Sequence, residues 1–224
     1  MKKDIRESYR KQVEGKKYKD YEHFRWLENF RRWLGYRQTY HSLNHHLSDV
    51  DFDSVVEMGP GSGIWTKQLI RKNPEASFDL VDISEDMLKH CKINIGDRKN
   101  IKYICSDFLD AEIDHEKDLF FSARTFRYIE DKLSMLKKVH DVLRKGGIGL
   151  MITWMPRLSS KKNRDGAPVY PEEMRSLLSE AGFRRISIYP VIVRIPYFMW
   201  KKMYMKKLGK PYFLVESYIV KFKK

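Results

Sequence analysis

The chain of 224 residues is 42% hydrophobic and 13% aromatic, which favours one folded domain with a sizeable core and excludes wholesale disorder. Two cysteines exclude a disulfide framework, and neither a signal-like N-terminus nor an apolar run near ~18 residues is present, so a cytoplasmic protein without a transmembrane segment is predicted. The net charge of +14 lies in the two ends of the chain, and this basic surface attracts anions such as nucleic acid, acidic lipid or an acidic metabolite.

The N-terminal segment is predicted to be helical and polar. Aromatic residues recur every three or four positions over residues 18–33, which indicates an amphipathic helix. Gly35 is predicted to end this helix, and a second helix is predicted over residues 37–47. Residues 1–48 are therefore expected to form a helical cap, and residues 49–224 the main domain.

The middle of the chain alternates short apolar runs with helical segments. Strands are predicted at Ser54–Met58, 78–82, Ile101–Cys105, 119–122 and 148–154. Helices are predicted at residues 63–71, 85–91 and 130–144, with Ser84 as the N-cap of the second. This alternation predicts a doubly wound α/β fold, in which a mostly parallel sheet carries helices on both faces.

The last third begins with a polar loop at residues 157–170, followed by a helix from Pro171 to a stop at Gly182. Two final strands are predicted at residues 185–193 and 213–222. Between these strands, residues 197–208 place aromatic, Met and Leu side chains on one face beside several lysines. That stripe is compatible with three environments: an anionic membrane surface, the wall of a pocket, or the core.

A glycine-rich loop follows the first strand, with Gly59, Gly61 and Gly63 at alternate positions and Pro60 between the first two. Glycines permit tight turns and a close approach of a ligand to the backbone, and the helix behind them presents free amides. The third glycine comes one residue earlier than in the dinucleotide fingerprint, and no Gly-Lys-Ser/Thr of a phosphate-binding loop follows. Glu57 precedes the loop, where a carboxylate suits an ammonium group and repels a pyrophosphate.

Two further acids follow the second and third strands. Asp82 is placed to accept hydrogen bonds from both hydroxyls of a ribose. Asp107 is placed to accept from an exocyclic amine of adenine, with Ile83 or Phe108 against the ring. Because the carboxyl ends of parallel strands meet at one edge of a sheet, these acids predict a ligand that is cationic at one end and a nucleoside at the other.

Four segments in this order resemble the motifs of class I S-adenosylmethionine-dependent methyltransferases, a Rossmann-like family: residues 55–63, 80–84, 105–107 and 143–147. The resemblance implies a seven-stranded sheet with an antiparallel last strand, and S-adenosylmethionine as the cofactor. It also implies that Glu57 and the loop glycines hold the methionine part, Asp82 the ribose and Asp107 the adenine. Ser122 and Arg124 should line the donor's pocket, with residues 124–128 facing the acceptor.

The predicted function is therefore transfer of a methyl group to a small-molecule, glycan or lipid-type acceptor, anionic or amphipathic in character. Two alternatives stay open: an RNA methyltransferase that uses the basic ends as a phosphate track, and a protein that binds the donor without catalysis. No general base is assigned. No metal site is predicted, because no acid or cysteine completes a ligand set near His41 and His45.

Overall fold

The computed structural model of the protein describes residues 7, 27–156, 168–194, 199–200, 203, 205–209, 212 and 214–224. Most of the helix predicted at residues 18–33, and most of the loop predicted at 157–170, lie outside the described residues.

A single seven-stranded sheet organises the described part of the chain. Its strands are β1 Ser54–Met58, β2 Ser77–Asp82, β3 Ile101–Cys105, β4 Lys117–Ala123, β5 Leu143–Trp154, β6 Arg184–Val193 and β7 Val215–Lys223. The spatial order is β3-β2-β1-β4-β5-β7-β6. Strands β1 to β5 pair in parallel, and β7 runs antiparallel to both of its neighbours. The predicted fold class, including the antiparallel last strand, is confirmed.

Helices cover both faces of this sheet. They are α1 Phe30–Leu47, α2 Thr66–Lys72, α3 Glu85–Ile95, α4 Lys132–Val142 and α5 Pro171–Glu180, and a short 3₁₀ turn spans Phe126–Tyr128. Successive strand residues point to opposite faces, so Val55 packs with α1, α2 and α3, whereas Val56 packs with α4 and α5. Two hydrophobic layers result, and they hold the carboxyl ends of β1 to β4 rigidly beside one another.

The prediction that Gly35 ends a helix was wrong, because α1 runs through this glycine without a break. The helix begins at the N-cap Asn29, whose side chain accepts from the Arg32 amide at 3.0 Å. A Cβ at position 35 would lie 3.4 Å from Cδ1 of Ile192 in β6. Gly35 is buried where α1 packs against β6, and this tertiary packing outweighs the poor helix propensity of glycine, about 1 kcal/mol.

The boundary between α4 and β5 also differs from the prediction. Asp131 caps α4, its Oδ1 accepting from the Ser134 amide at 2.9 Å, and the helix ends at Val142 rather than at Arg144. Leu143 already pairs with Lys117 across an irregularity in the ladder. Arg144 consequently belongs to β5, where its guanidinium bonds the Asp118 carboxylate. A tertiary strand pairing has overridden a continuous helical pattern.

Three described members of the stripe at residues 197–208 turn inward, namely Trp200, Met203 and Leu208, whereas Met199 and Met205 in the same segment are exposed. Trp200 is fully buried, and its indole N–H donates to the Val191 carbonyl at 3.0 Å. Met203 and Leu208 pack against the same core, whereas Tyr197 and Tyr204 lie outside the described residues. For these three inward-facing residues, the core alternative is the one observed. In the part of the chain that the structure describes, no helix combines the length and apolarity needed to cross a bilayer.

Candidate functional site

The glycine-rich loop makes a tight turn between β1 and α2. Gly59, Gly61 and Gly63 have φ angles of 69°, 56° and 77°, in the left-handed region that side chains disfavour. The Gly59 amide donates to the Val81 carbonyl at 2.8 Å, which fastens the loop to the end of β2. A Cβ on Gly59 would lie 2.1 Å from Oγ1 of Thr125, so no side chain fits there. Backbone, rather than side chains, therefore forms this edge of the site.

Glu57 lies in β1 immediately before the loop and is 1% exposed. Its Oε2 atom is buried and makes no hydrogen bond to any described residue. Burial raises the pKa of this carboxyl group to about 8, and the nearby Asp82 carboxylate adds to the shift. A cationic group placed beside it would reverse the shift by favouring the ionised form.

Asp82 ends β2 and is held by backbone amides. Its Oδ2 accepts from the Gly61 amide at 3.2 Å, and its Oδ1 accepts from the Ser84 amide at 2.9 Å. Burial raises the pKa of Asp82 to about 6 even though these hydrogen bonds lower it. The carboxylate is thus fixed in orientation at the point where the loop and β2 meet.

Asp107 follows β3, and its own loop is fixed by two anchors. Oδ1 of Asp107 accepts from the Leu109 amide at 2.9 Å. From α4, the Lys138 ammonium donates to the carbonyls of Leu109 and Ala111 at 2.8 and 2.6 Å. Phe108 turns into the core, where it is 4% exposed and its ring lies 5.8 Å from that of Phe120. Phe108 nevertheless contributes to the lining of a cavity.

A cavity of about 290 Å³ opens between the tips of β1, β2, β3 and β4, where the strand order reverses beside β1. Of the predicted site residues, eight line it: Gly59, Pro60, Gly61, Asp82, Ile83, Asp107, Phe108 and Arg124. The other three, Glu57, Gly63 and Ser122, lie behind its wall. Ser122 is buried, and its hydroxyl donates to the Met58 carbonyl at 3.0 Å, which joins β4 to β1.

Arg124 follows β4, which lies on the other side of β1 from β2 and β3, the strands that lead to Asp82 and Asp107; it is 5% exposed. Its φ angle of 66° is left-handed, and its amide donates to the Ile152 carbonyl at 2.6 Å. The guanidinium carbon lies 4.6 Å from the centroid of the Trp154 ring and 5.9 Å from that of Trp65. Nη2 donates to the Thr39 hydroxyl at 2.9 Å. A positive charge is thus stacked on indole faces within the molecule.

Several residues packed around the Arg124 side chain escaped the sequence analysis, and of these Trp65 also lines the cavity. Thr39, Trp65 and Trp154 come from α1, the loop before α2 and the end of β5. Tyr36 extends this group, since its ring stacks on Trp65 with centroids 5.4 Å apart. These residues come together only in the folded chain. The one local signal in the sequence was Trp65, an aromatic residue two positions after Gly63.

The two cysteines occupy contrasting positions. Cys91 is fully buried in α3, and burial raises the pKa of its thiol well above the usual range. Its Sγ would lie 2.8 Å from a Cβ on Gly63, so it packs directly beneath the glycine loop. Cys105 ends β3 and is exposed. It precedes the cavity-lining Ser106 by one residue.

Comparisons with known proteins agree with this geometry. Residues 55–147 match the family described as "Methyltransferase domain". Malonyl-[acyl-carrier protein] O-methyltransferase 2 from Ilyobacter polytropus is 33% identical over 101 residues, which cover 45% of this chain and 39% of that protein. The chain therefore spans less than half the length of such curated relatives.

Two solved structures share the fold at low identity. Phosphoethanolamine N-methyltransferase 2 from Haemonchus contortus, in complex with S-adenosyl-L-methionine, superposes with a TM-score of 0.67 at 14% identity, over 96% of this chain and 60% of that one. The N-methyltransferase NodS from Bradyrhizobium japonicum, in complex with S-adenosyl-L-homocysteine, gives 0.65 at 13% identity, over 98% and 97%. Residues 55–147 therefore form a methyltransferase domain, and its fold is the one seen in solved S-adenosylmethionine-dependent methyltransferases, as the order of its motifs predicted.

Proposed function

We propose that the protein is an enzyme that transfers the methyl group of S-adenosylmethionine to a small, acidic acceptor of the acyl or lipid type. The observation that carries this proposal is one buried arginine, Arg124, in a cavity whose other charged lining residues, among those described, are acids. We call Asp82, Asp107 and the glycine loop the donor wall, and Arg124 and Trp65, with Thr39 and Trp154 packed behind them, the acceptor wall.

The donor wall fits the chemistry of the cofactor. Glu57 is a buried carboxyl with an oxygen that no described residue bonds, and an ammonium group nearby would supply the missing charge. Asp82 is oriented to accept from ribose hydroxyls, and Asp107 from the adenine amine. Gly59 has no space for a Cβ beside Thr125, and Gly61 has a positive φ angle that side chains disfavour, so backbone atoms line the cavity at both positions. Ile83 lines the cavity between the two acids and offers the base an apolar contact.

The bound donor supplies a methyl group on a positively charged sulfur, which is already electrophilic. The protein's own residues therefore act by orienting the two substrates and by excluding water. The glycine loop and Asp82 hold the donor, and the aromatic residues of the acceptor wall exclude water from the acceptor side of the cavity. No acid or base has to be assigned when the acceptor is itself an anion.

The relatives support an acidic acyl acceptor. Several of them are named malonyl-[acyl-carrier protein] O-methyltransferases, whose acceptor carries a carboxylate. The alternative of an RNA acceptor draws no support from these comparisons. Helix α1 supplies Thr39 to the acceptor wall, which supports our proposal that residues 1–48 form a cap over the domain at residues 49–224.

Calorimetric titration with S-adenosylmethionine and its demethylated product tests the donor wall. We expect Asp82→Ala to weaken both affinities by about 100-fold, since two charge-assisted hydrogen bonds are worth about 3 kcal/mol. Asp110→Ala, at an exposed acid outside the cavity lining, is the matched control and should leave both affinities unchanged. Equal affinities of the wild type and Asp82→Ala would refute the ribose assignment.

Transfer of a radiolabelled methyl group into fractionated cell extract tests the acceptor class. We expect label in the acidic metabolite or acyl fraction, and none with Asp82→Ala. Label confined to RNA would establish the alternative acceptor. Donor binding without label in any fraction would favour the protein that binds the donor without catalysis.

A further inference from the structure

A second cavity lies towards the other end of the strands from the donor wall, and we propose that it binds a phosphate group carried by a small organic molecule. It opens near the amino ends of β5 and β6, beside the last residues of α1. Its volume is about 520 Å³, which suits a small molecule and exceeds what a free phosphate needs. Its lining shares no residue with that of the first cavity, so the inference goes beyond the proposed function and does not depend on it.

A cationic patch on the last two strands forms one wall of this second cavity. Lys221 and Lys223 lie two positions apart in β7, so their side chains point to the same face of the sheet. Arg185 lies beside them near the start of β6, where this strand pairs with the end of β7. Three cationic side chains from two adjacent strands therefore line one cavity.

The backbone at Arg185 brings its side chain into this group. The ladder between β6 and β7 is irregular here, so that Arg185 and Ile186 both stand opposite Phe222. Arg185 has a φ angle of 51°, in the left-handed region that residues other than glycine rarely adopt. Because the extra residue departs from the alternation of the strand, Ile186 packs against the core that contains Phe222, whereas Arg185 lines the second cavity.

The charges that line the second cavity leave an excess of positive charge. Its only acid among the described lining residues is Asp49, whose Oδ1 accepts from the Lys221 ammonium group at 2.7 Å. Within the described part of the chain, no carboxylate forms an ion pair with Arg185 or Lys223. Three cations against one carboxylate leave a net charge of +2, which matches the charge of about −2 on a phosphate monoester. The guanidinium fork and the ammonium groups also suit the several oxygens of a phosphate.

Other lining residues offer apolar surface to the organic part of the ligand. Tyr189 packs on the ring of His46, with centroids 4.4 Å apart, and His46 is 5% exposed. Ile148 stands opposite Lys223 in the ladder, and Met205 is 55% exposed. An aromatic ring and a flexible Met side chain adapt to apolar groups of different shape. The second cavity therefore favours a phosphate monoester with a ring or a short chain over inorganic phosphate.

Titration with phenyl phosphate, followed by NMR at constant ionic strength, tests the proposal. Inorganic phosphate and phenol supply the two halves of this probe separately. We expect phenyl phosphate to bind about tenfold or more tightly than either of them, and to shift the amide signals of His45, Ser187 and Lys223. Saturating S-adenosylhomocysteine should leave this affinity unchanged, because it belongs in the first cavity. Failure to bind S-adenosylhomocysteine would overturn the proposed function alone.

A double variant tests the cations directly. Arg185→Gln combined with Lys223→Gln should weaken the binding of phenyl phosphate about tenfold or more. Lys99→Gln combined with Lys102→Gln is the matched control, because it removes the same charge from two exposed lysines outside the second cavity and should have little effect. If the first double variant does not fold, Lys223→Gln alone should still weaken binding about threefold or more.

The source of the phosphate is decided by a second arm with phosphatidylcholine vesicles, with and without phosphatidic acid. Vesicle binding that needs both phosphatidic acid and the two cations would identify a lipid headgroup, and its absence a soluble organic phosphate. The proposal is overturned if phenol binds as tightly as phenyl phosphate, if the shifts lie in the first cavity, or if the two double variants lose affinity equally. Oligouridylate that binds more tightly than phenyl phosphate through the same cations would assign them to RNA and also overturn it.

Discussion

The donor wall and the acceptor wall of the cavity are built in different ways. The donor wall consists of short segments, each of which turns directly from a strand into a loop, so its chemistry is local. The acceptor wall brings together Thr39, Trp65, Arg124 and Trp154, which are far apart in the chain. One wall is acidic and the other carries a buried cation. The comparison suggests that the first wall defines the domain and the second defines what each such protein methylates.

The largest effect on stability and donor binding is expected at Gly59, where the donor wall has no space for a side chain. Gly59→Ala adds a Cβ against Thr125 at a positive φ angle, which should cost about 3 kcal/mol and abolish donor binding. Gly96→Ala is the matched control, because Gly96 has φ of 83° and no atom within 4 Å of its Cβ position. That variant should cost only about 1 kcal/mol. Urea unfolding measures the free energy of unfolding of both variants. Equal losses in Gly59→Ala and Gly96→Ala would show that the glycine loop can accommodate a Cβ at position 59.

A second prediction concerns the pH dependence of the donor wall. With a pKa of about 6, Asp82 is mostly protonated at pH 5 and mostly ionised at pH 7. If the carboxylate form binds ribose, ionisation of Asp82 should contribute about a tenfold rise in donor affinity over this range. Asp82→Asn should remove this contribution and leave the part of the pH dependence that comes from the Glu57 proton. The pH dependence of folding stability has the opposite direction. Because the pKa of Asp82 is higher in the folded chain than in the unfolded chain, the ligand-free protein becomes less stable as pH rises from about 4 to about 6.

A third prediction follows from Glu57. With a pKa of about 8, its carboxyl group carries a proton at pH 7 in the ligand-free protein. An ammonium group of the donor should expel that proton, so binding should release up to about one proton per molecule. Calorimetry in buffers of different ionisation enthalpy counts the protons. Glu57→Gln should show no release, and release that persists in this variant would assign the proton to another group.

The smallest effect should come from the acceptor wall. Thr39→Val removes the hydroxyl that accepts from Arg124 while leaving the charge in place, so KM for a carboxylate acceptor should rise about two- to fivefold. Thr39→Ser keeps the hydroxyl and should resemble the wild type. Donor affinity should not change in either variant. A change in donor affinity of the same size would mean that the two walls are not independent.

Features that depend on a few neighbouring residues could be predicted from the sequence, whereas features that depend on tertiary contacts could not. The strands Ser54–Met58 and Ile101–Cys105 and the cap Ser84 were predicted correctly, because their signals lie within a few residues. The predicted helix stop at Gly35 was wrong, because α1 continues through this buried glycine and packs against β6. Arg124 was expected near the donor from the resemblance, but its aromatic partners depend on contacts that no local pattern reveals.

The two cysteine thiols differ in exposure, and this difference allows one of them to be labelled selectively. Because Cys91 is buried beneath the glycine loop and Cys105 is exposed at the end of β3, a maleimide dye should attach to Cys105 alone. The attachment point is next to cavity-lining Ser106, so the dye would report ligand entry optically without any engineered cysteine. Cys105 is thus a natural labelling position for a fluorescent sensor of ligand binding.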